Sequence, residues 1–183
     1  MKAYGLEIGE RHPDPFFRQF IAARSYYVMA RVALVEGFRE PAVLLTEQTI
    51  ELYLKAIRRK LGSIPKMEHG LVGLLEDPLA HRPAYFDSLL ADPERRAFLE
   101  RLTVAYAPAR YGEVGWGINY GQVLAMLDEI THNLDRVFRE LEPRAGRLRY
   151  VPTVLRRQML LENSHLAEDE MTDNTVALAG QED

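Results

Sequence analysis

The apolar positions of this chain recur at helical spacing, and nowhere in residues 14–142 do they alternate as the positions of a strand would. The most regular stretch is residues 40–61, EPAVLLTEQTIELYLKAIRRKL. Ile50, Tyr53, Leu54, Ile57 and Leu61 step by three and four, which predicts one buried stripe. Leu45, Thr49, Leu52 and Ala56 form a second, smaller-profile face suited to another helix or a second subunit. Glu47, Glu51 and Lys55 follow one another along a polar edge. Glu51 precedes Lys55 by four residues, the order that favours a helical ion pair. Arg58, Arg59 and Lys60 complement the negative end of the helix dipole, and Gly62 ends the helix.

Upstream, Asp14-Pro15 predicts a helix start, with an acidic cap and proline at the first helical position. The helix is expected to reach residue 35 or 36 and to stop at Gly37. Phe16, Phe20, Tyr27, Leu34 and Phe38 share a stripe that Phe17, Ile21, Val28, Val32 and Val35 widen. A helix this apolar is expected to touch neighbours on two sides. The connection over residues 37–41 is short, so the two helices are expected to fold back as an antiparallel hairpin.

Residues 68–76, EHGLVGLLE, predict a short third helix with Leu71, Leu74 and Leu75 inward, and Pro78 and Pro83 are expected to break the helical pattern after it. Asp92-Pro93 opens another helix, expected to run to about residue 107 on Phe98, Leu99, Leu102 and Ala105. Residues 108–118, PARYGEVGWGI, predict a glycine-rich loop. Asn119 then caps the last helix, with Gln122 three residues on. Tyr120, Val123, Leu127, Ile130, Leu134, Val137 and Leu141 form its heptad seam. The predicted fold class is all-α: an up-and-down bundle of four to five main helices with a long antiparallel N-terminal hairpin. Residues 1–13 are expected to be a leader and residues 14–142 the bundle. The remainder, 143–183, is expected to be a basic segment followed by an acidic, disordered tail. A short helix is an option near residues 154–166.

Composition narrows the function classes. The chain has 183 residues, no cysteine and a formal charge of −4. The absence of cysteine excludes disulfides, thiolate metal sites and a cysteine nucleophile, and it fits a reducing cytoplasm. The net acidity argues against a wholesale nucleic-acid coat, while a local basic patch stays open. Neither a signal peptide nor a membrane span is expected. The five histidines form no pair at metal-ligand spacing on a helix, so no metal and no other cofactor is expected. The glycine loop has neither the spacing nor the preceding strand of a dinucleotide fingerprint.

Three pieces, in order, resemble the HEPN family (higher eukaryotes and prokaryotes nucleotide-binding). Thr49-Ile50-Glu51-Leu52-Tyr53-Leu54-Lys55-Ala56 is similar to its A-x-E-x-x-L-K-A signature. His69-Gly70-Leu71, followed by Leu74-Leu75, is similar to its H-x-L-x-x-L-L element. Arg110-Tyr111 is similar to the R-Y that precedes the final long helix. The resemblance covers about residues 14–142 and implies a helical bundle that often dimerises. It also implies one of three roles: an RNA-cleaving toxin, a partner of a minimal nucleotidyltransferase, or a non-catalytic binding module. Nuclease members carry an Arg, four to six residues, then His. After Arg110 those positions hold Gly115, Trp116 and Gly117, so the resemblance points to the non-catalytic branch.

The expected ligand-binding residues are therefore Glu51, Lys55, Arg110 and Tyr111. In the alternative ribonuclease reading, Arg110, His69 and Glu51 are the catalytic group. Arg110 either holds a phosphate or pairs with Glu47 or Glu51 to pin the loop. Trp116 either stacks on a base or plugs the bundle end. Arg144, Arg147, Arg149, Arg156 and Arg157 lie in a stretch without acids, and residues 162–183 carry acids without Lys or Arg. These segments either touch nucleic acid, pair with each other, or dock a protein partner through residues 144–166. The expected partners are a second copy of the chain, RNA or a nucleotide, and a protein partner.

Overall fold

The computed structural model describes residues 14–64, 70–112, 119–143 and 145. Within them lie six α-helices and no strand: α1 (Pro15–Val35), α2 (Arg39–Lys60), α3 (Leu71–Glu76), α4 (Ala84–Ala91), α5 (Pro93–Arg110) and α6 (Tyr120–Leu141). The all-α class results directly from the helical spacing of the apolar positions. The expected leader, His69, Trp116 and the tail beyond residue 145 lie outside the described residues.

α1 and α2 pack along their length, and three residues join them. Gly37 sits at φ +73° and lets Phe38 N–H reach back to the Ala33 carbonyl at 2.8 Å. Gly62, at φ +81°, does the same after α2, where Ser63 N–H donates to the Arg58 carbonyl at 2.9 Å. Only glycine takes this left-handed backbone without strain, so both turns are written in the sequence. α6 lies against α1 and α2. Tyr53 bonds Asp135 and Lys60 bonds Glu142, both 82 residues apart, so α2 and α6 run parallel. Tyr120 reaches the Gly37 carbonyl while Phe20 stacks on Phe138 at 4.1 Å, so α1 and α6 run antiparallel.

The predicted stripes are the core. Ile50, Tyr53, Leu54 and Ile57 of α2 and Leu127, Ile130, Leu134 and Val137 of α6 are buried, with Leu71, Leu74 and Leu75 of α3 beside them. Arg58 is only 2% exposed. It does not serve as a solvated cation: it donates to the Leu74 and Asp77 carbonyls, at 2.8 and 3.1 Å, and so caps α3 from below.

Two local expectations are corrected. Pro83 does not break a helix; it occupies the N-cap position of α4, where its missing N–H costs no helical bond. Pro108 does not open a loop; it lies inside α5, which continues to Arg110. The burial of Ala105 and Ala109 offsets the hydrogen bond that proline forgoes. By contrast, the Asp92 and Asn119 caps form as expected. Asp92 accepts from Glu94 and Arg95 N–H, and Asn119 from Gln122 N–H.

α3 meets α5 at a close approach. A Cβ placed on Gly70 would lie 2.6 Å from Thr103 Cγ2, and Leu71 N–H donates to Thr103 Oγ1 at 3.1 Å. Gly70→Ala is expected to cost about 1 to 3 kcal/mol, through overpacking and disturbance of that bond. A lowered urea midpoint with an unchanged slope is the expected readout.

Candidate functional site

α2 carries a polar ladder built by its own repeat. Glu47, Glu51 and Lys55 are four apart and so share one face. Gln48 Nε2 donates to Glu47 Oε2 at 2.9 Å and to Glu51 Oε2 at 3.0 Å. Lys55 Nζ donates to Glu51 Oε1. Glu51 and Lys55 are half-buried, whereas Glu47 is only 7% exposed. Burial, and next the Glu51 charge, push the Glu47 carboxyl up to about 7; the Gln48 bond and Lys55 oppose this without reversing it. Glu47 is thus a carboxyl that exchanges its proton near neutrality.

Arg110 and Tyr111 stand at the far end of α5. Arg110 is exposed and lies over the Tyr106 ring, its Cζ 5.5 Å from the centroid. Tyr111 comes next as the C-cap and is 75% exposed. Ala105 and Ala109 pack on Val43 and Leu44, which sets this end of α5 against the first turns of α2. Counting from Val43 at 1.5 Å per residue, Glu47 lies about 6 Å along α2, Glu51 about 12 Å and Lys55 about 18 Å. Among the described residues, no hydrogen bond or ion pair joins Arg110 or Tyr111 to Glu47, Glu51 or Lys55. The expected residues therefore form two neighbouring groups, an α2 ladder and an α5 corner, with Glu47 on the ladder's near rung. The ribonuclease reading also needs His69, which lies outside the described residues.

Sequence reasoning missed the buried charges of α1. Tyr27 Oη donates to Asp128 Oδ1 at 2.5 Å, and Arg31 Nη1 donates to the same oxygen at 3.0 Å. Burial, then the Asp128 charge, holds the Tyr27 hydroxyl well above its ordinary range, so it stays a donor. One level away, Tyr53 Oη donates to Asp135 Oδ1 at 2.9 Å, Arg24 approaches that oxygen at 4.0 Å, and Arg139 donates to Oδ2. The signal was present in the chain. Arg24 and Arg31 are seven apart on an apolar helix, and Asp128 and Asp135 are seven apart beside the α6 seam.

This inversion explains the breadth of the α1 stripe. Two of its three charged residues, Arg24 and Arg31, point inward, and Arg18 is the exposed one. The outward side is lined by Ala22, Ser25, Met29 and Val32 at steps of three and four, with Met29 48% exposed.

The family model described as HEPN domain matches residues 20–117, more than half of the chain. The chain belongs to the HEPN family. The matched stretch opens within α1, takes in the α2 ladder and the Arg110–Tyr111 corner, and ends before α6. Asp128 and Asp135 thus lie outside the matched stretch, although they close the buried networks of the HEPN bundle. No curated protein and no solved structure matches the chain. Among the described residues, no helix is long and apolar enough to cross a membrane.

Proposed function

We propose that this HEPN protein is a non-catalytic binding module, works as a homodimer, and takes single-stranded RNA at the α5 corner. The observation that carries the reading is the Tyr106–Arg110–Tyr111 group. A guanidinium held over one ring, beside a second ring that is 75% exposed, supplies base stacking and a phosphate contact together. No carboxylate among the described residues neutralises Arg110, so its charge is available to a phosphate. The missing histidine after Arg110 supports binding without cleavage. The homodimer reading rests on the outward face of α1, which from Ala22 to Val32 carries no charged residue over about three turns and includes the exposed Met29.

Fluorescence anisotropy with a labelled single-stranded RNA tests the site. Tyr111→Ala or Arg110→Ala is expected to weaken binding about tenfold, as for the loss of one stacked base or one phosphate contact. Unchanged affinity in both variants removes the α5 corner from the interface. Preference for a free nucleotide or a protein over RNA would move the reading to those partners. Cleavage of the RNA by the wild type, lost in Arg110→Ala, would favour the ribonuclease alternative. Light scattering tests the assembly: the wild type is expected as a dimer and Met29→Glu as a folded monomer. A wild-type monomer at micromolar concentration overturns the homodimer.

A further inference from the structure

Pro108 lies inside α5, three residues before its C-cap Tyr111. Proline has no N–H, so the Val104 carbonyl lacks its i+4 helical donor. The pyrrolidine ring also crowds that carbonyl and turns it away from the helix axis. The surroundings are open: Val104 is 74% exposed, Ala107 is exposed and Pro108 is half-buried. Neither Val104 nor Ala107 carries a side-chain donor, and among the described residues no side chain bonds the Val104 carbonyl. The result is a backbone acceptor, without its helical partner, on an uncharged strip of α5. Tyr111, 75% exposed and seven residues on, shares this side of the helix about 10 Å away. Glu100, the acid one turn before Val104, is paired with Arg96 at 3.0 Å.

We infer that this carbonyl makes the α5 corner selective for RNA over DNA, by accepting a hydrogen bond from a ribose 2′-hydroxyl. The inference rests on the reading of that corner as a site for single-stranded RNA. The other parts of the corner are indifferent to the sugar. The Tyr106 and Tyr111 rings can stack on any base, and the Arg110 guanidinium can take the phosphate of either nucleic acid. What separates RNA from DNA is the 2′-hydroxyl. An arginine only donates, whereas a backbone carbonyl only accepts, so a hydroxyl that donates its proton is the complement of Val104 and not of Arg110. A base stacked on Tyr111 brings the adjoining ribose within reach of the strip. The proline thus does more than end a helix: it opens one acceptor beside the stacking ring.

Anisotropy with one sequence prepared as RNA, as DNA and as 2′-fluoro RNA, whose sugar cannot donate, tests it in the full chain. The wild type is expected to bind the RNA about fivefold more tightly than the other two strands, the size of one hydrogen bond. Pro108→Ala restores an N–H that occupies the Val104 carbonyl, at a position where alanine favours the helix. It is expected to bring RNA down to the level of DNA and to leave DNA and the 2′-fluoro strand unchanged. Arg110→Ala is expected to weaken all three strands alike and to preserve the ratio. An equal loss for all three strands in Pro108→Ala would assign the proline to the shape of the helix end and overturn the role of the carbonyl. RNA and DNA bound alike by the wild type, or a ratio that survives Pro108→Ala, would overturn it too. Strands that fail to bind the wild type, or whose binding ignores both Arg110→Ala and Tyr111→Ala, overturn the corner reading itself and this inference with it.

Discussion

Asp128→Ala is expected to destabilise the fold by about 3 to 5 kcal/mol, the usual cost of stranding one member of a buried ion pair. Arg31 and Asp128 have side chains 3% and 1% exposed, so water cannot take over the lost role. The substitution leaves the Arg31 guanidinium uncompensated and also deprives the Tyr27 hydroxyl of its acceptor. For a domain whose whole stability is about 5 to 15 kcal/mol, this brings the fold close to its limit. Urea unfolding at neutral pH measures it. The companion double variant, Arg31→Met with Asp128→Leu, removes both charges and fills the space. It is expected to fall within about 1 to 2 kcal/mol of the wild type. A single variant as stable as the wild type would show that the pair contributes little to the α1–α6 contact.

Glu47→Gln is expected to stabilise the protein at pH 8 by up to about 3 kcal/mol and to have little effect near pH 4.5. In the unfolded chain Glu47 ionises near 4.5, and in the fold it does so at about 7. Below pH 4.5 both states hold the proton and burial of the carboxyl costs little. Between 4.5 and 7 the unfolded state releases its proton first, so rising pH favours unfolding. Above 7 both states are ionised and the full penalty applies. Glutamine keeps the shape and can still accept the Gln48 bond, but it does not ionise. Denaturation of both proteins across pH 4.5 to 8 should therefore show a gain that grows with pH. A constant gain would assign the effect to packing instead of charge.

Most of the helices were legible because they carry their own instructions. Gly37 and Gly62 stop α1 and α2 by backbone geometry, and Asp92 and Asn119 start α5 and α6 by side-chain capping. The stripes of α2 and α6 point inward at the positions their spacing names. α4 was not legible. Its eight residues come after two prolines, and whether a proline opens a helix or ends one depends on what the next residues pack against. Here Phe86 and Leu89 are buried, and that contact lies in the tertiary structure.

The candidate site divides in the same way. The Glu51–Lys55 pair was legible because four residues along a helix place two side chains together whatever surrounds them. Arg110 was expected in a loop, and whether it met Glu47 or Glu51 depended on how α5 crosses α2. That crossing is set by two alanines against Val43 and Leu44, contacts more than 60 residues apart in the chain. The inward arginines of α1 were the largest omission. Read alone, a charge on a helix belongs to the water, because desolvation costs more than any contact its own helix can return.

The sequence by itself determined which segments become helices, where most of them stop, and the family to which their order belongs, because these depend on neighbours within a few residues. The tertiary structure alone decided which face of α1 is inside and which carboxyl is buried enough to titrate near neutrality. Those properties arise when distant charges, Arg24 with Asp135 and Arg31 with Asp128, are brought within bonding range, and local spacing cannot carry that information.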